Sequence, residues 1–123
     1  MTDAIADTLH AAEMELRALA LGHPEAAEDF PWGHRAIKVR GKVFVFLVRD
    51  DEGLAVSMKL RESNGEARSL PFVQPTAYGL GKAGWVTARF EPGEEPPVFM
   101  LRAWIAESYR LIAPKTLARQ VTG

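Results

Sequence analysis

Val43 to Val48 is a run of six apolar residues with no polar break. A short run of this kind is covered on both faces, which marks an interior strand of a sheet. The segments beside it alternate as half-buried strands do. Arg35, Ile37 and Val39 stand against Ala36, Lys38 and Arg40, and Leu54, Val56 and Met58 against Ala55, Ser57 and Lys59. Gly41 lies in the first link, and Asp50-Asp51-Glu52-Gly53 forms the second, where a positive φ is needed. His34 to Lys59 is therefore read as a three-stranded antiparallel meander, and the rest of the chain has to be fitted around it.

Helical periodicity precedes the meander. Ile5, Leu9, Ala12, Leu16 and Leu19 predict a first helix over 3–20. Thr2 or Asp3 caps it, Glu13 and Arg17 form an i,i+4 pair, and Gly22 and Pro24 end it. His23 to Gly33 reads as a loop with an acidic rim whose Phe30 and Trp32 plug the end of the core. After the meander, Arg61–Ser69 reads as a short polar helix, Pro71–Pro75 as a short strand at most, and Trp85–Phe90 as a clear strand. A rigid link, Glu91 to Pro97, leads to a helix over 97–112 with Val98, Leu101, Ile105, Tyr109 and Ile112 facing inward and Trp104 beside them. Pro114 stops it, and 115–121 adds a last turn. A chain of 123 residues supports one ordinary core, so 1–123 is expected to be a single domain.

Composition excludes several kinds of chemistry. There is no cysteine, hence no disulfide, no thiolate metal site and no Cys nucleophile. His10, His23 and His34 are too far apart for a local metal motif, and no serine sits in a G-x-S-x-G elbow. No catalytic residue, metal or cofactor is expected. Residues 1–29 hold seven acids and only Arg17 as a base, unlike a signal peptide, and no apolar run approaches a membrane span. A cytoplasmic protein without a membrane partner is the expectation.

Gly79 to Val86 matches G-x-G-x-x-G-x-V. A dinucleotide fingerprint needs a strand before it and a helix after it; here Pro75 precedes and a strand follows. Lys82 is followed by Ala83, so a Walker A loop is excluded too. The segment reads as a glycine-rich wing whose amides and Lys82 could meet a phosphate.

Charge is unevenly spread. Residues 30–49 hold Arg35, Lys38, Arg40, Lys42 and Arg49 with no acid, and from Arg110 onward Lys115 and Arg119 also stand without one. A local positive field binds anions even on a chain whose net charge is −1. The bland alternative is that these cations protect strand edges from aggregation.

In order along the chain, a leucine-rich helix ending in Gly-His-Pro is followed by Phe30-Pro31-Trp32-Gly33, Lys38-Val39-Arg40-Gly41-Lys42-Val43-Phe44 and Met58-Lys59-Leu60. Gly81-Lys82-Ala83-Gly84-Trp85-Val86 and Glu107-Ser108-Tyr109-Arg110-Leu111-Ile112 complete the set. This series resembles the MmcQ/YjbR family of small bacterial proteins. The resemblance implies an α+β fold in two layers: a five-stranded antiparallel sheet with helices on one side, in the order α-β3-α-β2-α. It also implies a double-wing type of DNA binding without catalysis. On that expectation the wings are the Arg40–Lys42 turn and the Gly79–Gly84 loop. Lys38, Arg40, Lys42, Lys59 and Lys82 meet phosphates, and Tyr78 and Trp85 lie near bases or sugars. The alternative is a protein-binding or homo-oligomeric assembly module that binds no nucleic acid. In it a second copy or another protein covers the helix-free sheet face. A third reading is an enzyme acting on a small anion in a cleft lined by Trp32, Tyr78 and Lys59.

Overall fold

The computed structural model describes residues 3–121, with side chains from residue 8 onward. The Thr2/Asp3 cap and the core role of Ile5 fall outside the described residues. The first helix, α1, runs Asp3–Leu21. Strand β1 (Ala26–Asp29) follows, then the meander β2 (Arg35–Val39), β3 (Lys42–Asp50) and β4 (Gly53–Lys59). A short helix α2 (Asn64–Arg68), strands β5 (Val73–Pro75) and β6 (Trp85–Phe90), helix α3 (Val98–Ile112) and a last turn α4 (Lys115–Ala118) complete the chain. Single 3-10 turns occupy Pro31–Gly33 and Leu80–Ala83.

The sheet is antiparallel and has six strands in the order β1-β2-β3-β4-β6-β5, one more than the five expected. The additional strand is β1, in the segment expected to be a loop. Ala26 to Asp29 pair with Val39 to Ala36, so the free edge of β2 supplies the strand with its main-chain partners. The acids of β1 are anchored to three cations from two elements, α1 and β2. Glu28 accepts from Arg17 Nε at 2.6 Å and from Arg35, and Asp29 meets Lys38 Nζ at 2.6 Å. Arg17 is thereby drawn to Glu28 rather than to Glu13. Glu13, buried on α1, accepts from Arg49 Nε at 2.7 Å and lies 3.5 Å from Arg35 Nε.

Cross-strand pairing sorts the side chains. Ile37, Val45, Met58 and Val86 form one row and Leu47, Val56, Ala88 and Val73 the next, both turned toward α1 and α3. β3 carries apolar groups on both faces, as its unbroken run requires. Between Ile37 and Lys38 the register shifts, and across that bulge Phe44 and Val45 are both fully buried. The opposite face carries Ala36, Phe46, Val48, Ala55, Ser57, Lys59, Trp85 and Thr87. Phe30 and Trp32 do not plug the core. Phe30 is half exposed beneath the Arg35 guanidinium, and Trp32 is 91% exposed in a 3-10 turn.

Candidate nucleic-acid interface

Each strand crosses the sheet once, so the register assigns every link to one end. The Arg40–Lys42 turn, residues Lys59–Arg61 at the close of β4 and the loop 76–84 that leads into β6 lie at one end. The turn Asp50–Gly53 and the link Glu91–Glu95 lie at the other. The chain is therefore polarised, with Arg40, Lys42, Lys59, Arg61 and Lys82 at one end and Asp50, Asp51, Glu52, Glu91, Glu94 and Glu95 opposite. The acidic end holds a cleft of about 760 Å³ that includes Asp50, Glu52, Glu91 and Glu94.

α3 completes the basic end. The Ser108 hydroxyl, fully buried, donates to the Phe44 carbonyl at 2.6 Å and accepts from the Lys59 N–H at 2.9 Å. The Glu107 carboxylate accepts from the Arg61 N–H at 2.7 Å, the Ser63 N–H at 3.2 Å and the Ser63 hydroxyl at 2.7 Å. Burial opposes its ionisation, but these donors hold its carboxyl below the usual range. The last turn of α3 then brings Arg110, and the corner after it brings Lys115, against Arg40, Lys42 and Arg61. These five cations line a cleft of about 460 Å³ that has no acid in its wall.

The turn itself is an unusual element. Arg40 (φ 50°) and Gly41 (φ 81°) both take positive φ, as a two-residue hairpin turn requires. Asparagine or glycine suits the first position far better than arginine. Arg40 is held there by Glu25, itself at φ 58°, through two bonds of 2.5 and 2.9 Å. Hydrogen bonding from Arg40 keeps the Glu25 carboxyl below its ordinary range. Glu25 is in turn placed by its neighbour, because the Tyr109 hydroxyl donates to the Pro24 carbonyl at 2.6 Å. Burial, and then the Glu25 charge, push that phenol up, so it stays a neutral donor.

The seven residues singled out from sequence are distributed as follows. Lys42 is exposed and, with Arg40, lines the cleft. Lys59 and Trp85 are cross-strand partners on the helix-free face. Trp85 is only 9% exposed and packs on Phe46 at 5.9 Å, which leaves little indole to offer a base. Tyr78 is fully exposed at φ 61° in the 76–84 loop, and Lys82 follows in its 3-10 turn. Lys38 and Arg40 are already paired, with Asp29 and Glu25. Trp32 sits in the turn between β1 and β2, at the opposite end from Tyr78 and Lys59, so these three line no common cleft. Arg61, Arg110 and Lys115 were not among the seven. The acid-free stretch from Arg110 was the one sequence signal for Arg110 and Lys115, and Arg61, followed by Glu62, had none.

The glycine loop has a packing explanation. A Cβ on Gly84 (φ 98°) would stand 2.8 Å from the Leu60 carbonyl oxygen, which lies in the strand end this loop hugs. Leu60 N–H closes the contact by donating to the Gly84 carbonyl at 3.0 Å.

A family model described as YjbR matches residues 21–111. The chain belongs to the YjbR family. That match takes in the meander, the glycine loop and α3 as far as Leu111, and so most of the basic end. Among solved structures, Deinococcus radiodurans protein DR2400, which carries a DUF419 domain, is similar with a TM-score of 0.67 and 24% identity. The likeness covers 85% of this chain and 83% of that one, and it speaks for the fold alone. No curated protein matches the sequence. Among the described residues of this YjbR protein, no helix is long and apolar enough to cross a membrane.

Proposed function

We propose that this YjbR protein is a non-enzymatic DNA-binding domain that takes phosphates at its basic end. One observation carries the reading: the 40–42 turn and the 76–84 loop project from the same end of the sheet, flanking Lys59–Arg61, while the acids of the 50–52 turn and the 91–95 link lie at the other end. The midpoints of the two projections stand three strand spacings apart, roughly 14 Å. That is about the width of a B-DNA major groove, whose rims are phosphates. Lys42, Lys59, Arg61, Lys82 and Lys115 supply the charge, and the exposed Tyr78 ring is available to a base or sugar. The acidic end repels the same polyanion and so orients the encounter. A cysteine-free chain suits a reducing bacterial cytoplasm as the setting.

Fluorescence-anisotropy titrations with short duplex and single-stranded DNA, at low and physiological salt, test this. Micromolar or tighter binding that weakens steeply with salt is expected. Absence of binding at low salt refutes it.

A second reading has its own support. Phe46 and Val48 lie half-buried on the sheet face that α1 and α3 leave free. A second copy covering that face would make the protein an assembly module. A mass that rises with concentration and is indifferent to DNA would favour it.

A further inference from the structure

We propose that the cleft between the 40–42 turn and the α3–α4 corner seats a phosphate monoester, the dianionic end group of a nucleic-acid strand or of a free nucleotide. This rests on the basic end being a phosphate-binding surface, and it adds which phosphate enters the cleft. Of the five cations in its wall, Arg40 is neutralised by Glu25. Among the described residues, the charged side-chain groups of Lys42, Arg61, Arg110 and Lys115 form no ion pair with a carboxylate within 4 Å, although Glu107 bonds the Arg61 backbone N–H. Four uncompensated cations around about 460 Å³ repel one another, and a multiply charged anion between them removes that repulsion. Arg110 adds a second observation: its Nη1 is shut off from solvent and has no hydrogen-bond partner. A buried guanidinium nitrogen without an acceptor is rare, and an oxyanion drawn into the cleft supplies the missing charge.

The wall is also fixed in advance. The backbone of Arg61 is tied to Glu107, and the turn is tied through Arg40 to Glu25. Shape selects the kind of phosphate. The seat is recessed between a turn and a helix corner, with Ala113 and Pro114 in its wall. A diester in the middle of a duplex is flanked by sugars on both sides and stays at the rim. A terminal phosphate has one free side and two negative charges, and it can enter.

The test compares a ten-nucleotide single strand bearing a 5′-phosphate with the same strand ending in a 5′-hydroxyl, and adenosine 5′-monophosphate with adenosine. Tighter binding of the phosphorylated strand, by about tenfold at pH 7.5, is expected from charge-assisted hydrogen bonds to the extra group. The preference should shrink toward pH 5, because the second ionisation of a phosphate monoester lies near pH 6. Arg61→Gln should bring the ratio close to one while leaving its anchoring backbone N–H in place. Lys115→Gln, at an exposed position, gives the same reading if Arg61→Gln lowers the melting temperature. Equal affinity for the two strands, with binding retained, overturns the terminal-phosphate seat and leaves DNA binding intact. A preference that survives both substitutions overturns its placement in this cleft. Adenosine 5′-monophosphate bound in an Arg61-dependent way, with neither strand bound, overturns DNA binding and upholds the seat for a free ester. No binding of any probe overturns both.

Discussion

Lys42→Gln and Lys38→Gln remove one positive charge each from strands β3 and β2, yet their effects on DNA binding should differ. Lys42 is exposed and, among the described residues, has no acidic partner, so engaging a phosphate costs it only water and counterions. Lys38 Nζ is held 2.6 Å from Asp29 and would have to give up that pair. With about five phosphates neutralised, by Lys42, Lys59, Arg61, Lys82 and Lys115, the logarithm of the duplex binding constant should fall with log salt at a slope of about −4.5. Between 50 and 200 mM salt that is a loss of about 500-fold. Lys42→Gln should flatten the slope to about −3.6 and weaken binding evenly across sequences. Lys38→Gln should leave the slope near −4.5. Arg40→Asn should do the same, since Arg40 is paired with Glu25, and asparagine tolerates the positive φ of that turn. Anisotropy titrations at four salt concentrations give each slope. An unchanged slope in Lys42→Gln removes it from the interface. A Lys38→Gln slope as flat as that of Lys42→Gln refutes the argument that pairing withdraws a cation from binding.

Four further substitutions concern the frame that carries the site. Gly53→Ala should destabilise by about 3 kcal/mol or more: its Cβ would lie 2.0 Å from the Phe90 carbonyl oxygen at φ 137°, so β6 must move. Gly41→Ala, at φ 81° with nothing within 4 Å, should cost only about 1–2 kcal/mol in the same urea titration, and equal costs would rule out the close approach as the cause. Ser108→Ala leaves the Phe44 carbonyl and the Lys59 N–H unpaired in a buried place, which should cost about 2–3 kcal/mol and loosen hydrogen-exchange protection at Lys59; unchanged protection there would show that the hydroxyl does not hold the strand end. Hydrogen bonding from Arg17, aided by Arg35 and opposed by burial, lowers the Glu28 carboxyl from 4.5 to about 2, so its contribution is complete above pH 4.5 and is lost as pH falls toward 2. Urea midpoints at pH 7, 4 and 2.5 should decline less in Glu28→Gln than in the parent, and parallel declines would count against the pairing.

The elements missed in the sequence were those whose cause is tertiary. Ala26-Ala27-Glu28-Asp29 has neither β-branched residues nor alternation of apolar and polar groups. It becomes a strand because β2 has an edge to fill and because Arg17, Arg35 and Lys38 await its acids. Glu13 and Arg17 satisfy the helical pairing rule, yet each finds a cation or acid outside the helix that is better placed. Phe30 and Trp32 are large and apolar, but they sit in the β1–β2 link, outside the rows that face α1 and α3. The meander, by contrast, was legible because its periodicity and its turns agree.

The interface was half legible for a related reason. Arg61, Arg110 and Lys115 are scattered along the chain, and no local pattern unites them with Lys42. A longer pattern does. Successive links carry cations at 40–42, acids at 50–52, cations at 59–61 and 82, acids at 91–95, and cations at 110–115. In an antiparallel meander closed by a helix, consecutive links fall at opposite ends of the sheet, so charge that alternates in sign from link to link becomes charge separated in space. Glu25 and Glu62 break the alternation at the basic end, and Glu25 is the acid bound to Arg40. The alternation carries information only once the antiparallel order is known. Reading link charge against topology, rather than residue by residue, is what turns a chain of net charge −1 into a molecule with one face for phosphates.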